Sequence, residues 1–225
     1  WNITSNVLDS IPRLPIIQGE TRVLSFLPIC HIFERLLIYL YQYGGLSIYF
    51  AEGLDKIGDN AKEVKPHFMS VVPRLLEKVF DKIYAKGDEL SSIKKALFYW
   101  AIHLGEHYKP YKANGWWYEF KLKIARKLIF SKWKEALGGE LSTMVSGSAA
   151  LHPRLSRIFC AADMMVMEGY GLTETSPVVA VGMYKDGNFK IGTVGKPIDN
   201  VEVKIAEDGE ILIKGPNVML GYYKD

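Results

Sequence analysis

Residues 164–177 read MMVMEGYGLTETSP. Met164, Met165, Val166 and Met167 form a short apolar run, the pattern of a strand buried on both faces in a parallel sheet. Gly169 and Gly171 bracket Tyr170 and loosen the chain just beyond that strand. Thr173, Glu174, Thr175 and Ser176 follow, three hydroxyls and a carboxylate at the place where an open α/β sheet presents its carboxyl edge to a ligand. The set suits a nucleotide triphosphate. Glu174 can hold Mg²⁺, which takes one or two carboxylates together with phosphate oxygens. Thr173 offers a hydroxyl to a phosphate, and Tyr170, freed on both sides by glycine, can lay its ring on a base. The plain alternative for this composition is a surface turn.

Outward from that stretch the chain alternates strand and helix. Apolar runs predict strands at 22–27, 46–50, 67–72 and 141–145, with helices at 2–14, 54–64 and 153–162. Residues 28–35 turn the first strand into a helix that ends at Gly44-Gly45, and Pro73 and Pro153 suit first helical positions. The alternation predicts an α/β fold, a layered parallel sheet with helices on both faces. Residues 73–135 read as a helical excursion in which Ile93, Leu97, Trp100 and Leu104 make one buried stripe. After Pro177 come short strands at 178–182, 190–194, 201–205 and 210–214, with Asp208-Gly209 as a hairpin signal. The expected division is an α/β unit over 1–182 and the beginning of a β-barrel-like unit over 183–225.

Composition fits a globular protein, 48% hydrophobic and 24% charged with net charge +3. No apolar run is long enough to cross a bilayer, and the start lacks the charged and apolar regions of a signal peptide. Cys30 and Cys160 stand alone, as reduced thiols do in the cytoplasm. His103-Leu104-Gly105-Glu106-His107 matches the inverted zinc-peptidase pattern. Gly105 and the nearby Pro110 make that a short platform, and a solvated helix end is the alternative. Residues 109–135 hold eight basic and two acidic side chains. There Trp117, Phe120, Ile124 and Leu128 form an apolar stripe backed by lysines, suited to peripheral contact with a membrane's inner face or to covering the sheet with a basic outer side. Nucleic acid is not expected, since no recognition module accompanies the basic stretch. A serine hydrolase is excluded, because Ser148 lacks flanking glycines and only His152 follows it. Residues 192–197 mimic a phosphate loop but lack the spacing and closing Ser or Thr of Walker A.

Tyr170-Gly171-Leu172-Thr173-Glu174 resembles the adenine-and-phosphate motif of the adenylate-forming superfamily: acyl-CoA synthetases, luciferases and peptide-synthetase adenylation domains. Leu27-Pro28-Ile29-Cys30-His31-Ile32-Phe33-Glu34-Arg35 resembles the acyl-pocket signature of the long-chain fatty acid CoA ligase branch, and Val72 to Lys78 is similar to another segment of it. Gly192 to Pro197, Gly209 to Ile211 and Gly215 to Met219 resemble framework segments of the same family.

The resemblance implies an enzyme that takes ATP, Mg²⁺, a fatty acid and coenzyme A. It implies that Tyr170 stacks on adenine with Glu168, Gly169 and Gly171 beside it, and that Ser148 and Ala149 line the adenine site. That turn, Ser146 to Leu151, has nothing bulkier than alanine over five positions, so a flat ring could approach its backbone closely. Thr173 and Glu174 would be catalytic, the first on the α-phosphate and the second on Mg²⁺, while His31 and Phe33 would belong to the acyl pocket. Three elements of the family do not occur in these residues: the Ser/Thr/Gly-rich phosphate loop, the ribose-binding T-G-D and the carboxyl-terminal catalytic lysine. With Trp1 at the start, the expectation is an internal piece of a larger enzyme, inactive alone.

Overall fold

The computed structural model describes residues 1–184 and 187–224. Five parallel strands, β1 (Arg22–Ser25), β2 (Ser47–Phe50), β3 (Phe68–Val71), β4 (Thr143–Ser146) and β5 (Met165–Gly171), lie in the order β2-β1-β3-β4-β5. β6 (Val178–Val181) and β7 (Lys196–Pro197) continue the sheet antiparallel. β3 and β4 are buried along their whole length, which explains their unbroken apolar character.

Strand order fixes where the helices go. α2 (Ile32–Tyr43) carries the chain from β1 to β2 in one direction, and α3 (Ile57–Val64) carries it from β2 back past β1 to β3. Right-handed crossovers in opposite directions place their helices on opposite faces. α1 (Asn2–Ser10) packs on α2, while α4 (Pro73–Asp88), α5 (Ser92–Glu106) and α8 (Pro153–Ala161) pack together on the α3 side. Pro73 and Pro153 occupy the first helical positions. None of the helices described is long and apolar enough to cross a membrane.

Three expectations change. The buried stripe of α5 is Phe98, Ala101, Ile102 and Gly105, joined by Leu104, whereas Ile93 is 78% exposed, Leu97 is exposed and Trp100 is half-buried. Small residues decide the rotation: a Cβ at Gly105 would lie 3.3 Å from the Ile158 Cα, so α5 meets α8 where its side chain is absent. Ile93→Ser is therefore expected to shift stability by less than about 0.5 kcal/mol, read as an unchanged urea midpoint.

Residues 190–194 form no strand. Gly192 and Gly195 adopt φ of +77° and +80°, which break extended pairing, and the ladder with β6 is made by Lys196 and Pro197 instead. In α6 (Trp116–Ala125) the face turned to the protein is Tyr118, Leu122 and Ala125, so the stripe of Trp117, Phe120, Ile124 and Leu128 lies outward and does not cover the sheet. A π-helical turn, Arg126–Phe130, leads from α6 into α7 (Ser131–Ala136). Near the end, β8 (Glu202–Ile205) and β9 (Ile211–Lys214) pair as a separate hairpin, with Gly209 at φ +90° in its turn.

Candidate active site

The carboxyl ends of β4 and β5 and the start of α2 open onto one cavity of about 150 Å³. His31 and Phe33 reach it from the start of α2, Gly147 and Ser148 from the turn after β4, and Gly169 to Thr173 from the end of β5. Leu36, Leu37 and Leu40 of α2 extend an apolar wall behind Phe33. The two segments on which the nucleotide expectation rested thus face each other across one space, with the acyl-motif residues on a third side.

Backbone geometry explains the glycines. A Cβ at Gly147 would stand 3.0 Å from the Phe33 ring, so the aromatic lies directly on the backbone of the turn. Ser148 adopts φ +70°, and Ser148 and Ala149 are exposed, which leaves that turn open to a planar group. At Gly171 a Cβ would collide with the Pro177 carbonyl oxygen, so only glycine lets β5 turn this tightly into β6.

The loop between those strands is held from inside. The buried Thr175 hydroxyl accepts from the Leu172 N–H at 3.0 Å and donates to the Pro177 oxygen at 2.6 Å. Asn6 of α1, fully buried, donates to the Val178 oxygen at 2.7 Å and accepts from the Val178 N–H at 3.1 Å, bonding like a neighbouring strand. Asn6 was not legible as a site residue, because nothing in its local pattern separates it from a helical surface polar residue. Leu36, Leu37 and Leu40 carried a signal, the helical spacing after Phe33, but it reads equally well as core.

Not every expected residue lines the cavity. Ala149 stands beside it on the exposed turn. The Glu168 carboxylate is buried and accepts from the Gly192 N–H at 3.2 Å and the Leu151 N–H at 3.4 Å, tying the β4–α8 turn to the 192 loop. Burial pushes its pKa up against those bonds. Glu174 is exposed beside Thr173 and accepts from the Tyr222 hydroxyl at 2.8 Å. Its own backbone N–H, then Tyr222, hold its pKa below the usual carboxylate value, so it is ionised at neutral pH.

Residues 2–223 match a family described as AMP-binding enzyme. The chain belongs to that family. Among relatives of the AMP-binding family, it is 32% identical over 211 residues to the long-chain-fatty-acid CoA ligase FadD15 of Mycobacterium bovis, covering 92% of this chain and 34% of that protein. It is likewise 32% identical over 240 residues to the peroxisomal long chain acyl-CoA synthetase 7 of Arabidopsis thaliana, covering 100% of this chain and 33% of that one. The chain therefore spans about a third of the length of these relatives.

Among solved structures, a long-chain-fatty-acid-CoA ligase of Archaeoglobus fulgidus superposes with a TM-score of 0.67 at 18% identity, over 99% of this chain and 39% of that one. The o-succinylbenzoate coenzyme A synthetase of Bacillus subtilis, solved with ATP and magnesium ion, gives 0.63 at 18% identity, over 100% of this chain and 38% of that one. At these identities the likeness is one of fold.

The inverted zinc-peptidase triplet lies on the surface away from this cavity. His103, Glu106 and His107 bring their ligand atoms within 4.8 Å of one another at the end of α5. Glu106 is already held by Arg154 at 2.7 Å, and His107 Nδ1 is 2.8 Å from the His103 carbonyl oxygen. A metal there would compete with a fixed guanidinium for the only carboxylate of the triplet.

Proposed function

We propose that this chain is part of an ATP-dependent ligase that converts a long-chain fatty acid to its adenylate and then to its coenzyme A thioester. The supporting observation is the shared cavity, lined by His31 and Phe33 from the start of α2, Ser148 from the turn after β4, and Gly169, Tyr170 and Thr173 from the end of β5. The fatty carboxylate attacks the α-phosphorus of ATP, forming the C–O–P link of the acyl-adenylate and releasing pyrophosphate. The coenzyme A thiol then attacks the acyl carbon, loses its proton and releases AMP.

On this reading the half-buried Tyr170 ring stacks on adenine, with Gly169 and Gly171 leaving its faces clear and the small turn at Ser148 and Ala149 admitting the base edge. Glu168 sits beside the base and acts through the backbone it fixes. Thr173 donates to an α-phosphate oxygen. Glu174 suits Mg²⁺, being exposed, ionised and able to join phosphate oxygens and water around a cation that needs only one or two carboxylates. When bound, that ion neutralises charge on the phosphates. His31, exposed and not engaged in capping α2, flanks the carboxylate, and the chain runs past Phe33 along Leu36 and Leu40. The same reading sets the end of the α/β unit near residue 182, with the β8–β9 hairpin opening a barrel-like unit. It places the enzyme in the cytoplasm, drawing substrate from a membrane.

Fatty-acid-dependent exchange of label between pyrophosphate and ATP tests it. The intact protein is expected to exchange with palmitate well above acetate, and this chain alone is expected not to exchange, because the phosphate loop, the T-G-D and the lysine are not among its residues. Equal exchange by the isolated chain, or none with any fatty acid in the intact protein, contradicts the reading.

A further inference from the structure

We propose that the outward face of α6 and the π-helical turn after it is a docking surface for an anionic lipid bilayer. The inference rests on the ligase reading only for its purpose, the capture of fatty acid from membranes. Trp116 is 79% exposed, Trp117 56% and Phe120 52%, and Ile124 and Leu128 continue the row one helical turn apart. Trp117 stacks on Phe120 with ring centroids 5.6 Å apart, and Trp116 meets Trp117 at 5.5 Å, so the aromatics form one continuous patch. This patch is separate from the face that α6 buries, since Tyr118, Leu122 and Ala125 already satisfy the packing of the helix.

Charge names the partner. At 100° per residue along α6, Lys123 flanks one edge of the row and Lys121 the other, and Lys127 stands exposed beside it in the π-helical turn. Lys121 Nζ lies 5.9 Å from the centre of the Trp117 ring, which brings an ammonium beside the aromatic patch. Lys121, Lys123, Lys127 and Lys132 make no ion pair among the described residues, whereas Arg126 and Lys134 both turn to Asp163. Protein–protein interfaces are depleted in lysine at their cores. A helix with tryptophan, phenylalanine and leucine on one face and lysines along its edges is instead the composition that lies in a headgroup layer. The row spans residues 116–128, about 18 Å of helix parallel to the surface at 1.5 Å per residue.

Vesicle sedimentation of the intact protein tests the proposal, with phosphatidylcholine vesicles with and without phosphatidylserine as probes. The protein is expected to pellet with the anionic vesicles and to be released by salt. Lys123→Gln with Lys127→Gln should weaken that partition roughly 30-fold, at about fivefold per charge. Trp117→Glu with Phe120→Glu should abolish it, and both variants should keep the wild-type melting temperature because the altered side chains are exposed. Wild-type protein that stays in the supernatant overturns the proposal, including the case in which the rest of the polypeptide covers the row. Variants that pellet as well as wild type overturn it too. Pyrophosphate exchange with palmitate delivered on serum albumin, without vesicles, separates the two readings: lost exchange with intact vesicle binding sinks the ligase alone, and intact exchange with no vesicle binding sinks the docking surface alone.

Discussion

Glu174→Gln in the intact enzyme is expected to lower fatty-acid-dependent pyrophosphate exchange by about 10²- to 10³-fold, the loss typical of removing one fixed group that stabilises transition-state charge. The substitution keeps the shape of the side chain and its capacity to accept from Tyr222, and it removes the negative charge a hard cation requires. Glu174 is exposed and packs into no core, so the melting temperature is expected to stay where it is. Raising the Mg²⁺ concentration should recover part of the rate, which a purely structural role would not allow. Exchange kinetics identical to wild type would remove Glu174 from the site.

The second large effect lies at Glu34, whose carboxylate is wholly buried between β1 and β3. Ser25 donates to Oε1 at 2.5 Å and Ser70 to Oε2 at 2.8 Å, and these serines stand one residue beyond the Leu24–Met69 pair that joins the two strands. Strand order reverses its direction at β1, so the carboxylate closes the crevice that such a reversal opens at the carboxyl edge. It also anchors the first turn of α2, from which His31 and Phe33 enter the cavity. Glu34→Ala should cost about 2–4 kcal/mol, because it leaves two buried hydroxyls unpaired and a void beside them.

Burial is the largest influence on the Glu34 pKa and raises it, with the two serine bonds opposing. The folded state therefore keeps its proton to higher pH than the unfolded state does. The contribution of Glu34 to stability is full below the unfolded value, near 4.5, and is lost as pH rises through the folded pKa. Glu34→Gln, which can still bond both serines, should flatten that fall. Urea midpoints measured from about pH 4.5 upward read the difference, and parallel curves for wild type and Glu34→Gln would show that the carboxylate does not titrate in this range.

Much of this architecture was legible in the residues. Apolar runs at 141–145 and 164–167 mark strands buried on both faces, and prolines 73 and 153 mark helix starts; such local signals survive because the packing agrees with them. The candidate site was legible only as motifs, and the meeting of several of their residues at one cavity depends on strand order, which no local pattern carries. What failed was the choice between competing faces. In α5 the residues at 93, 97, 100 and 104 and those at 98, 101, 102 and 105 both keep helical spacing, and only the close approach of α8 to Gly105 selects the second set. In α6 apolar side chains occupy both sides, so periodicity could not say which one the protein buries. Glu34 was visible only as part of a motif, since a glutamate enclosed by two serines from different strands is a tertiary fact.

The most direct measurement is a crystal structure of the intact protein with a non-hydrolysable acyl-adenylate analogue carrying a long alkyl chain. Adenine stacked on Tyr170 beside the Ser148 turn, with the linking group near Thr173 and the chain passing Phe33 toward Leu40, is the predicted result. An analogue bound elsewhere, with the cavity between α2, the β4 turn and the end of β5 left empty, would contradict the account.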